Sequence, residues 1–230
     1  MRNARAIFTK QVLDLLKNYM VLIQYIIFPL VALVFTELVA KADDTIPDSL
    51  FVTMFAGIFS GMTLVSTTVS IIAEDRERKS LRFLIMAGVR PSEYLLGIGG
   101  VVLCASLVVS VAFALMGAFA GREFVVFVSV MVLASVASIL LGATIGILSK
   151  NQQAATAVGM PIAMILGFGP MIAMFNETAG KVFGIFYTQQ MSVITSDFSA
   201  SLTKPLLIIL ANIAVLLVLF MVAYKKKGLR

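Results

Sequence analysis

The chain contains no histidine, and its one cysteine, Cys104, lies inside an apolar segment. Without histidine it lacks the commonest general base and the commonest metal ligand of proteins. A single cysteine excludes an internal disulfide. Only 13% of the 230 residues are charged, about half the share typical of a soluble domain, whereas 60% are hydrophobic. A domain of this size cannot bury that much apolar surface, so the composition predicts a membrane protein.

The sequence also lacks an ATP-binding motif and charged residues at mid-membrane. The phosphate-binding pattern G-x-x-x-x-G-K-[S/T] is missing, because Gly180-Lys181 is followed by valine and lacks the upstream glycine. The chain therefore cannot bind ATP by that route. No charged residue lies in the middle of an apolar segment, since Glu37 falls near the end of the first one. Ion-coupled carriers usually need such buried charges. Energy for transport must come from another protein, or transport is passive.

Six apolar segments are long enough to cross a membrane, with no linker or separate soluble domain between them. We predict one all-α transmembrane domain over residues 1–230. The first span is too long for the core of a signal peptide and is interpreted as a retained helix. The predicted spans are residues 20–40, 50–73, 92–120, 124–148, 154–175 and 205–223.

Lys and Arg are distributed unevenly between the loops. Fourteen of the 18 fall in residues 1–18, in residues 74–91, at Lys150 or after the last span. Because these residues concentrate on the cytoplasmic side of membrane proteins, we predict a cell-membrane protein with both termini in the cytoplasm. The net charge of +6 is interpreted as contact with anionic lipid rather than nucleic acid, since the basic residues form short clusters beside apolar segments.

Two segments outside the spans are also apolar in part. Residues 1–18 mix charged and apolar positions and predict an amphipathic helix on the membrane surface. Residues 176–204 are too apolar for a free loop, and we expect short re-entrant or interfacial helices there, an amphipathic loop on the outer leaflet being the alternative. Within the fifth span, Pro161 and Pro170 predict a broken or kinked helix, which is tolerated beside a cavity.

A stripe of small and hydroxyl residues follows one side of the second span, within an arc of about 140°. Its members are Thr53, Gly57, Ser60, Thr63, Thr67 and Ser70. Such residues commonly pack helices together in membranes. The alternative is the wall of a translocation path, suited to an uncharged cargo because the stripe holds no charge. For a second set of small residues in the fourth span, Ser138, Gly142 and Gly146, we predict packing.

The most charged stretch of the chain follows the second span. It contains Glu74, Asp75, Arg76, Glu77 and Arg78. Leu81 and Leu84 then recur at helical spacing, and Pro91 ends the pattern. The pattern predicts an amphipathic helix that either lies on lipid or docks a cytosolic partner. Its acidic residues favour docking, because anionic headgroups would repel them.

The run Asp75-Arg76-Glu77-Arg78-Lys79-Ser80-Leu81-Arg82-Phe83-Leu84, followed by Glu93-Tyr94-Leu95-Leu96-Gly97, resembles the permease subunits of type-2 ATP-binding-cassette exporters, such as drug and lantibiotic-immunity permeases. That family reads, roughly, acid-x-Glu-Arg/Lys-Gly-Thr-Leu-x-x-Leu, then Glu-x-x-x-Gly-Lys. Here Lys79 replaces the glycine, Gly88 stands where a proline is usual, and Ile98 replaces the lysine.

The resemblance implies a permease that pairs with a second, identical or homologous permease around a central path. A cytosolic ATPase would dock on each coupling helix, residues 74–91, and would bind ATP and Mg²⁺, so this chain would carry no cofactor and no catalytic residue. The implied coupling residues are Glu74, Asp75, Arg76, Glu77, Arg78, Leu81, Leu84 and Pro91. The implied pathway residues are the stripe of the second span with Pro161 and Pro170. The alternative function is an energy-independent channel, carrier or membrane scaffold.

Overall fold

A computed structural model describes residues 2–43 and 45–227, and the part it describes is all-α, with no strand. Six of its helical segments are long and apolar enough to cross a membrane, as the hydropathy pattern predicts. These segments are Tyr19–Ala42, Ser49–Glu77, Pro91–Met116, Arg122–Leu148, Gln152–Phe175 and Thr203–Lys226. The chain is therefore a multi-pass membrane protein.

Eleven α-helices make up the described part of the chain. Their bounds are α1 (Arg2–Lys17), α2 (Tyr19–Leu38), α3 (Ser49–Ile58), α4 (Leu64–Glu77), α5 (Ser80–Met86), α6 (Pro91–Met116), α7 (Arg122–Leu148), α8 (Gln152–Phe175), α9 (Glu177–Phe183), α10 (Tyr187–Ser196) and α11 (Thr203–Lys227). Helices α3 and α4 form one span, because a π-helix over Phe59–Thr63 joins them without a break. We call the end of the bundle that carries α1 and α5 the α1 end.

Helix α7 is the central element and packs against α4, α6 and α11. Its small residues let α4 come close. A Cβ atom added to Gly142 would lie 2.8 Å from the carbonyl oxygen of Val65, and one added to Gly146 would lie 2.9 Å from Cβ of Ile72. Both distances are shorter than van der Waals contact allows. The packing role predicted for these glycines is therefore confirmed.

Helix α8 is continuous through both of its prolines. Of the predicted broken or kinked helix, the break at Pro161 and Pro170 is therefore wrong, because neighbouring groups in membrane bundles compensate for the hydrogen bonds that proline removes. The kink stays a prediction. The irregular turn lies instead in the facing span, at the π-helix. There a Cβ added to Gly61 would lie 2.6 Å from the backbone nitrogen of Gly167 in α8.

The segment between α8 and α11 is folded and largely packed. Helix α10 contacts α3, α7, α8 and α11, and most of its residues are buried. The hydroxyl of Tyr187 lies 2.8 Å from that of Ser138 in α7, and Asn212 of α11 donates a hydrogen bond to the carbonyl of Ile185. Residues 176–204 are thus not a free loop. That they re-enter the membrane stays a prediction.

Two departures from the permease pattern lie at the junctions on either side of α5, and the structure explains the second of them. Lys79, between α4 and α5, has a positive φ of 59°. A glycine adopts this left-handed conformation readily, whereas an L side chain is strained there. Gly88, after α5, has a φ of 79°. Proline could not replace it, because its ring fixes φ near −65°. The backbone here accordingly requires glycine where the pattern has proline.

Candidate functional site

A cavity of about 420 Å³ opens between α2, α4 and α8 near the α1 end of the bundle. Its walls combine amides, hydroxyls and apolar side chains. The lining residues are Asn18, Met20, Val21, Gln24, Ile27, Phe28, Met62, Thr63, Ser66, Thr67, Val69, Ser70, Gln152, Thr156, Gly159 and Met160. None of them is charged. The volume falls in the range of pockets that bind drug-sized ligands.

Two threonines among the lining residues have hydroxyl oxygens that are closed off from solvent. Thr63 and Thr67 are each only 2% exposed, and neither hydroxyl has a hydrogen-bond partner of normal geometry. Some buried hydroxyls of the bundle donate to the carbonyl four residues earlier, as Thr68 does to Leu64 and Thr144 does to Leu140. The buried hydroxyls of Thr36 and Ser60, like those of Thr63 and Thr67, do not. The phenol of Tyr25 faces Thr67 but does not reach hydrogen-bond geometry with it.

The structure divides the predicted pathway residues. Thr63, Thr67 and Ser70 line the cavity. Thr53, Gly57 and Ser60 do not line it. Thr53 donates to the carbonyl of Leu50, and the carbonyl of Ser60 accepts a hydrogen bond from Ser138. A Cβ atom added to Gly57 would meet no atom within 4 Å. Pro161 is exposed and Pro170 buried, both outside the cavity lining.

On the second span the cavity extends only from Met62 to Ser70, so Thr53 and Gly57 lie outside it by their position along the span. The π-helix also adds one residue to the turn and rotates the residues after it by about 100° relative to those before it. A stripe that is continuous in the sequence is therefore split in space. Ser66 and Gln152 also line the cavity and were not among the predicted pathway residues. A polar side chain at the start of α8 was visible in the sequence, but its distance from the second span was not.

The charged end of α4 is tied to the loop between α7 and α8. The guanidinium of Arg76 donates to the carbonyls of Ile147 and Ser149, at the end of α7. The carboxylate of Glu77 accepts a hydrogen bond of 2.9 Å from the backbone N–H of Gln152, the first residue of α8. Each charge thus meets the helix end whose dipole it complements.

The same link reaches the cavity. The side-chain amide of Gln152 donates to the hydroxyl of Ser70 at 2.8 Å, and both residues line the cavity wall. Glu77 and Ser70, two turns apart on α4, therefore both bind Gln152 and hold the start of α8 against α4 at the edge of the cavity. A displacement of the α4–α5 junction would pull on the first turn of α8.

Asp75 has a different environment from its charged neighbours. It is 9% exposed and accepts a hydrogen bond of 3.0 Å from the hydroxyl of Tyr94, a residue with no exposed surface. The ammonium of Lys10 lies 3.7 Å away on the other side. The cluster joins α1, α4 and α6. Asp75 consequently holds α1 onto the bundle and is not a free surface charge.

The remaining predicted coupling residues lie at or near the surface. Glu74 and Arg78 form an ion pair of 2.8 Å on α4 and its end, and Pro91 is the first residue of α6. Leu81 lies in α5, but its side chain is outside the described residues. Leu84 is half-buried and packs on the core. Among the side chains of α5 that the structure describes, Phe83 and Met86 are apolar and exposed, at 68% and 70%, and neither was among the predicted coupling residues.

Comparison with known proteins gives one informative result. No curated protein matches the chain at a significant level. The family model described as "ABC-2 family transporter protein" matches residues 6–224, which is nearly the whole sequence. It covers the six membrane-crossing helices, α5 and the cavity alike. The chain therefore belongs to the ABC-2 family of transporter proteins and is a permease component of an ATP-binding-cassette transporter.

Proposed function

We propose that this permease is the membrane subunit of an ATP-driven exporter, whose partner ATPase docks on α5 and moves the wall of the cavity between α2, α4 and α8. The observation that carries the proposal is the hydrogen-bonded link from Glu77 through Gln152 to Ser70. It joins the predicted docking segment, residues 74–91, to the cavity. A motion that the ATPase imposes on α5 would therefore reach the cargo site through a few atoms.

The proposed docking surface consists of exposed apolar side chains of α5. Phe83 and Met86 project from α5 with about two thirds of their surface free, and both are apolar. Buried aromatic anchors supply much of the affinity at protein interfaces, whereas exposed charges contribute less. Phe83 is the anchor that we assign to the ATPase cleft. The ion pair of Glu74 and Arg78 lies at the rim.

The proposal extends to the surroundings of the chain. The protein lies in the cell membrane with its α1 end in the cytoplasm. The ATPase binds ATP and Mg²⁺ on that side. A second permease, identical or homologous, completes the path, as the resemblance to exporter permeases implies, and α1 lies on the lipid surface. Membership of the ABC-2 family favours this function over an energy-independent channel or scaffold, because such permeases work with an ATPase partner.

The test is recovery of the ATPase with an affinity-tagged permease from native membranes. Phe83→Ser should abolish recovery while leaving the permease in the membrane. The matched control is Phe175→Ser, since Phe175 is 80% exposed but lies at the opposite end of α8 from the α1 end. Recovery of no ATPase with the unmodified permease would refute the proposed function. Equal recovery with Phe83→Ser would refute the docking surface.

Variants of Glu77 distinguish two roles for its carboxylate, capping of α8 and direct binding of the ATPase. If it caps α8, Glu77→Gln should retain ATPase recovery and activity, because an amide oxygen can still accept the hydrogen bond from Gln152. Glu77→Ala should retain recovery but alter the ATPase activity of the complex. If Glu77 instead binds the ATPase by charge, both variants should lose recovery. Activity of the reconstituted complex and recovery are measured on the same preparations.

A further inference from the structure

The π-helix of the second span changes which groups bond to its backbone. In an α-helix the N–H of Leu64 would donate to the carbonyl of Ser60, four residues earlier. Here it donates to the carbonyl of Phe59 instead. The carbonyl of Ser60 accepts a hydrogen bond of 2.8 Å from the hydroxyl of Ser138 in α7, which lies 3.0 Å from the carbonyl of Ala134 in its own helix. Ser138 thus takes the place of the backbone donor that the wide turn has moved away.

Closure of the wide turn into an ordinary α-helical turn would move α4 as a screw. The π-helix holds one residue more than an α-helical turn, so its closure carries the residues after it forward by about 1.5 Å and about 100°. With the part of the span before the turn held in place, each residue of α4 then occupies the place of the residue that follows it. Such a shift requires that the neighbouring helices accept the new side chains.

The contacts between α4 and α7 accept this shift at two points of close approach. A Cβ atom on Gly142 would lie 2.8 Å from Cβ of Thr68, and one on Gly146 would lie 2.9 Å from Cβ of Ile72. The residue before each of these two side chains is of the same type, and these preceding residues are Thr67 and Ile71. After a shift by one residue, each glycine of α7 would therefore meet the same kind of side chain as before.

The charged end of α4 accepts the shift at one place and resists it at two. Asp75 accepts the hydrogen bond of Tyr94, and the residue before it, Glu74, also carries a carboxylate. Arg76 donates to carbonyls at the end of α7 and Glu77 accepts from the first N–H of α8, and neither preceding residue could make these bonds. The bonds at this end of α4, together with the bond at the π-helix, therefore hold α4 in the register of the structure.

We propose that α4 has two registers on α7, related by this one-residue screw, and that Ser138 is the positioning residue that keeps the π-helix open and α4 in the first register. In the second register the π-helix is closed, the start of α5 is displaced by about 1.5 Å along the axis of α4, and α4 turns a different face to the cavity. As a step of transport the screw rests on the proposed export function, whereas the two registers themselves do not.

Cysteine pairs between α4 and α8 report the register. A Cβ atom on Gly159 would lie 3.6 Å from Cβ of Val69, which is within the range of a disulfide. Val69→Cys with Gly159→Cys should therefore form a disulfide in the first register. In the second register residue 68 occupies that place, so Thr68→Cys with Gly159→Cys should form one instead. Thr67→Cys with Gly159→Cys is the matched control, because residue 67 meets Gly159 in neither register.

The pairs are introduced together with Cys104→Ser and oxidised in native membranes with copper phenanthroline. After denaturation, a polyethylene-glycol maleimide adds mass to free thiols and leaves disulfides unlabelled, so the rate of each disulfide is read from a gel. Ser138→Ala removes the bond to the π-helix and should speed the 68–159 disulfide roughly two- to tenfold. Ser135→Ala should leave it unchanged, since Ser135 is equally buried in α7 but donates to the carbonyl of Met131 in its own helix.

ATP and Mg²⁺ added to the permease–ATPase complex in lipid nanodiscs should speed the 68–159 disulfide and slow the 69–159 disulfide. Failure of the 69–159 pair to form, equal rates of the 68–159 and 67–159 pairs in every variant, or no effect of Ser138→Ala would each overturn the two registers. The proposed function fails separately, if no ATPase is recovered with the permease, because the response to Ser138→Ala does not require the ATPase. Pairs that respond to Ser138→Ala but not to ATP would retain the registers and refute their role in transport.

Discussion

The contact between Gly61 and α8 allows a quantitative test of the bundle. A Cβ on Gly61 would lie 2.6 Å from the nitrogen of Gly167 and 2.7 Å from the carbonyl carbon of Leu166. Both are backbone atoms, so no side chain can rotate away, and Gly61→Ala must push α4 and α8 apart. Overpacking of this kind typically costs about 1–3 kcal/mol.

Gly57→Ala is the matched control. It lies one turn earlier in the same span and is also buried, but a Cβ there meets no atom within 4 Å. Both substitutions gain about 0.5–1 kcal/mol from the reduced backbone freedom of alanine. Since this gain is common to the two variants, their difference in stability isolates the cost of the contact with α8, which we put at about 1–3 kcal/mol.

The measurement is the temperature at which half of the detergent-solubilised permease leaves its monodisperse peak in fluorescence-detected size-exclusion chromatography. For a chain of this length, about 1 kcal/mol corresponds to roughly 2–4 °C. Gly61→Ala should therefore lose its peak about 2–12 °C below Gly57→Ala. Equal midpoints, or a higher midpoint for Gly61→Ala, would show that α4 and α8 do not meet at this glycine.

Three further predictions concern the α1 end. Tyr94→Phe should lower stability by about 1.5–3 kcal/mol, because it removes a hydrogen bond to a buried carboxylate. Lys10→Ala should cost less than about 1 kcal/mol, since the Lys10 side chain is largely exposed and its ammonium lies 3.7 Å from that carboxylate. Equal midpoints of the two variants in the same thermal assay would contradict this order. Lys79→Gly should raise stability by about 1 kcal/mol by relieving a positive φ, and a loss would refute the strain. A reporter fused at Lys150 should be cytoplasmic and one inserted in 41–48 external; finding 41–48 inside would reverse the topology.

The fold follows from hydropathy to within a few residues. The fourth span was predicted at 124–148 and occurs at Arg122–Leu148, because a long apolar segment between short polar turns leaves little choice of boundary. The second span was predicted to end at residue 73, but the helix continues to Glu77. Charged residues usually mark the end of a span, and here Asp75 remains inside the helix because Tyr94 and Lys10 satisfy its carboxylate.

The site was less predictable. Charges at Arg76 and Glu77 suggested a docking surface, but their partners are the end of α7 and the start of α8, more than 70 residues further along the chain. Residue type gives the sign of a charge and the dipole rule gives the kind of helix end that would accept it. Neither says which helix end lies nearby, since that depends on how α4, α7 and α8 pack.

The π-helix at Phe59–Thr63 is a feature that the sequence pattern did not predict, and it lies beside the cavity. Sequence periodicity assumes a constant rotation per residue, and a single wide turn breaks that assumption without any proline to signal it. Thr63, the last residue of this turn, and Thr67 beyond it line the cavity, while Thr53 before the turn bonds to its own helix. The turn also brings Gly61 against α8, the helix that Glu77 caps at its other end. Helices α4 and α8 thus meet on both sides of the cavity along the span. In the proposed mechanism, a motion that the ATPase imposes at α5 would deform the cavity wall between these two contacts.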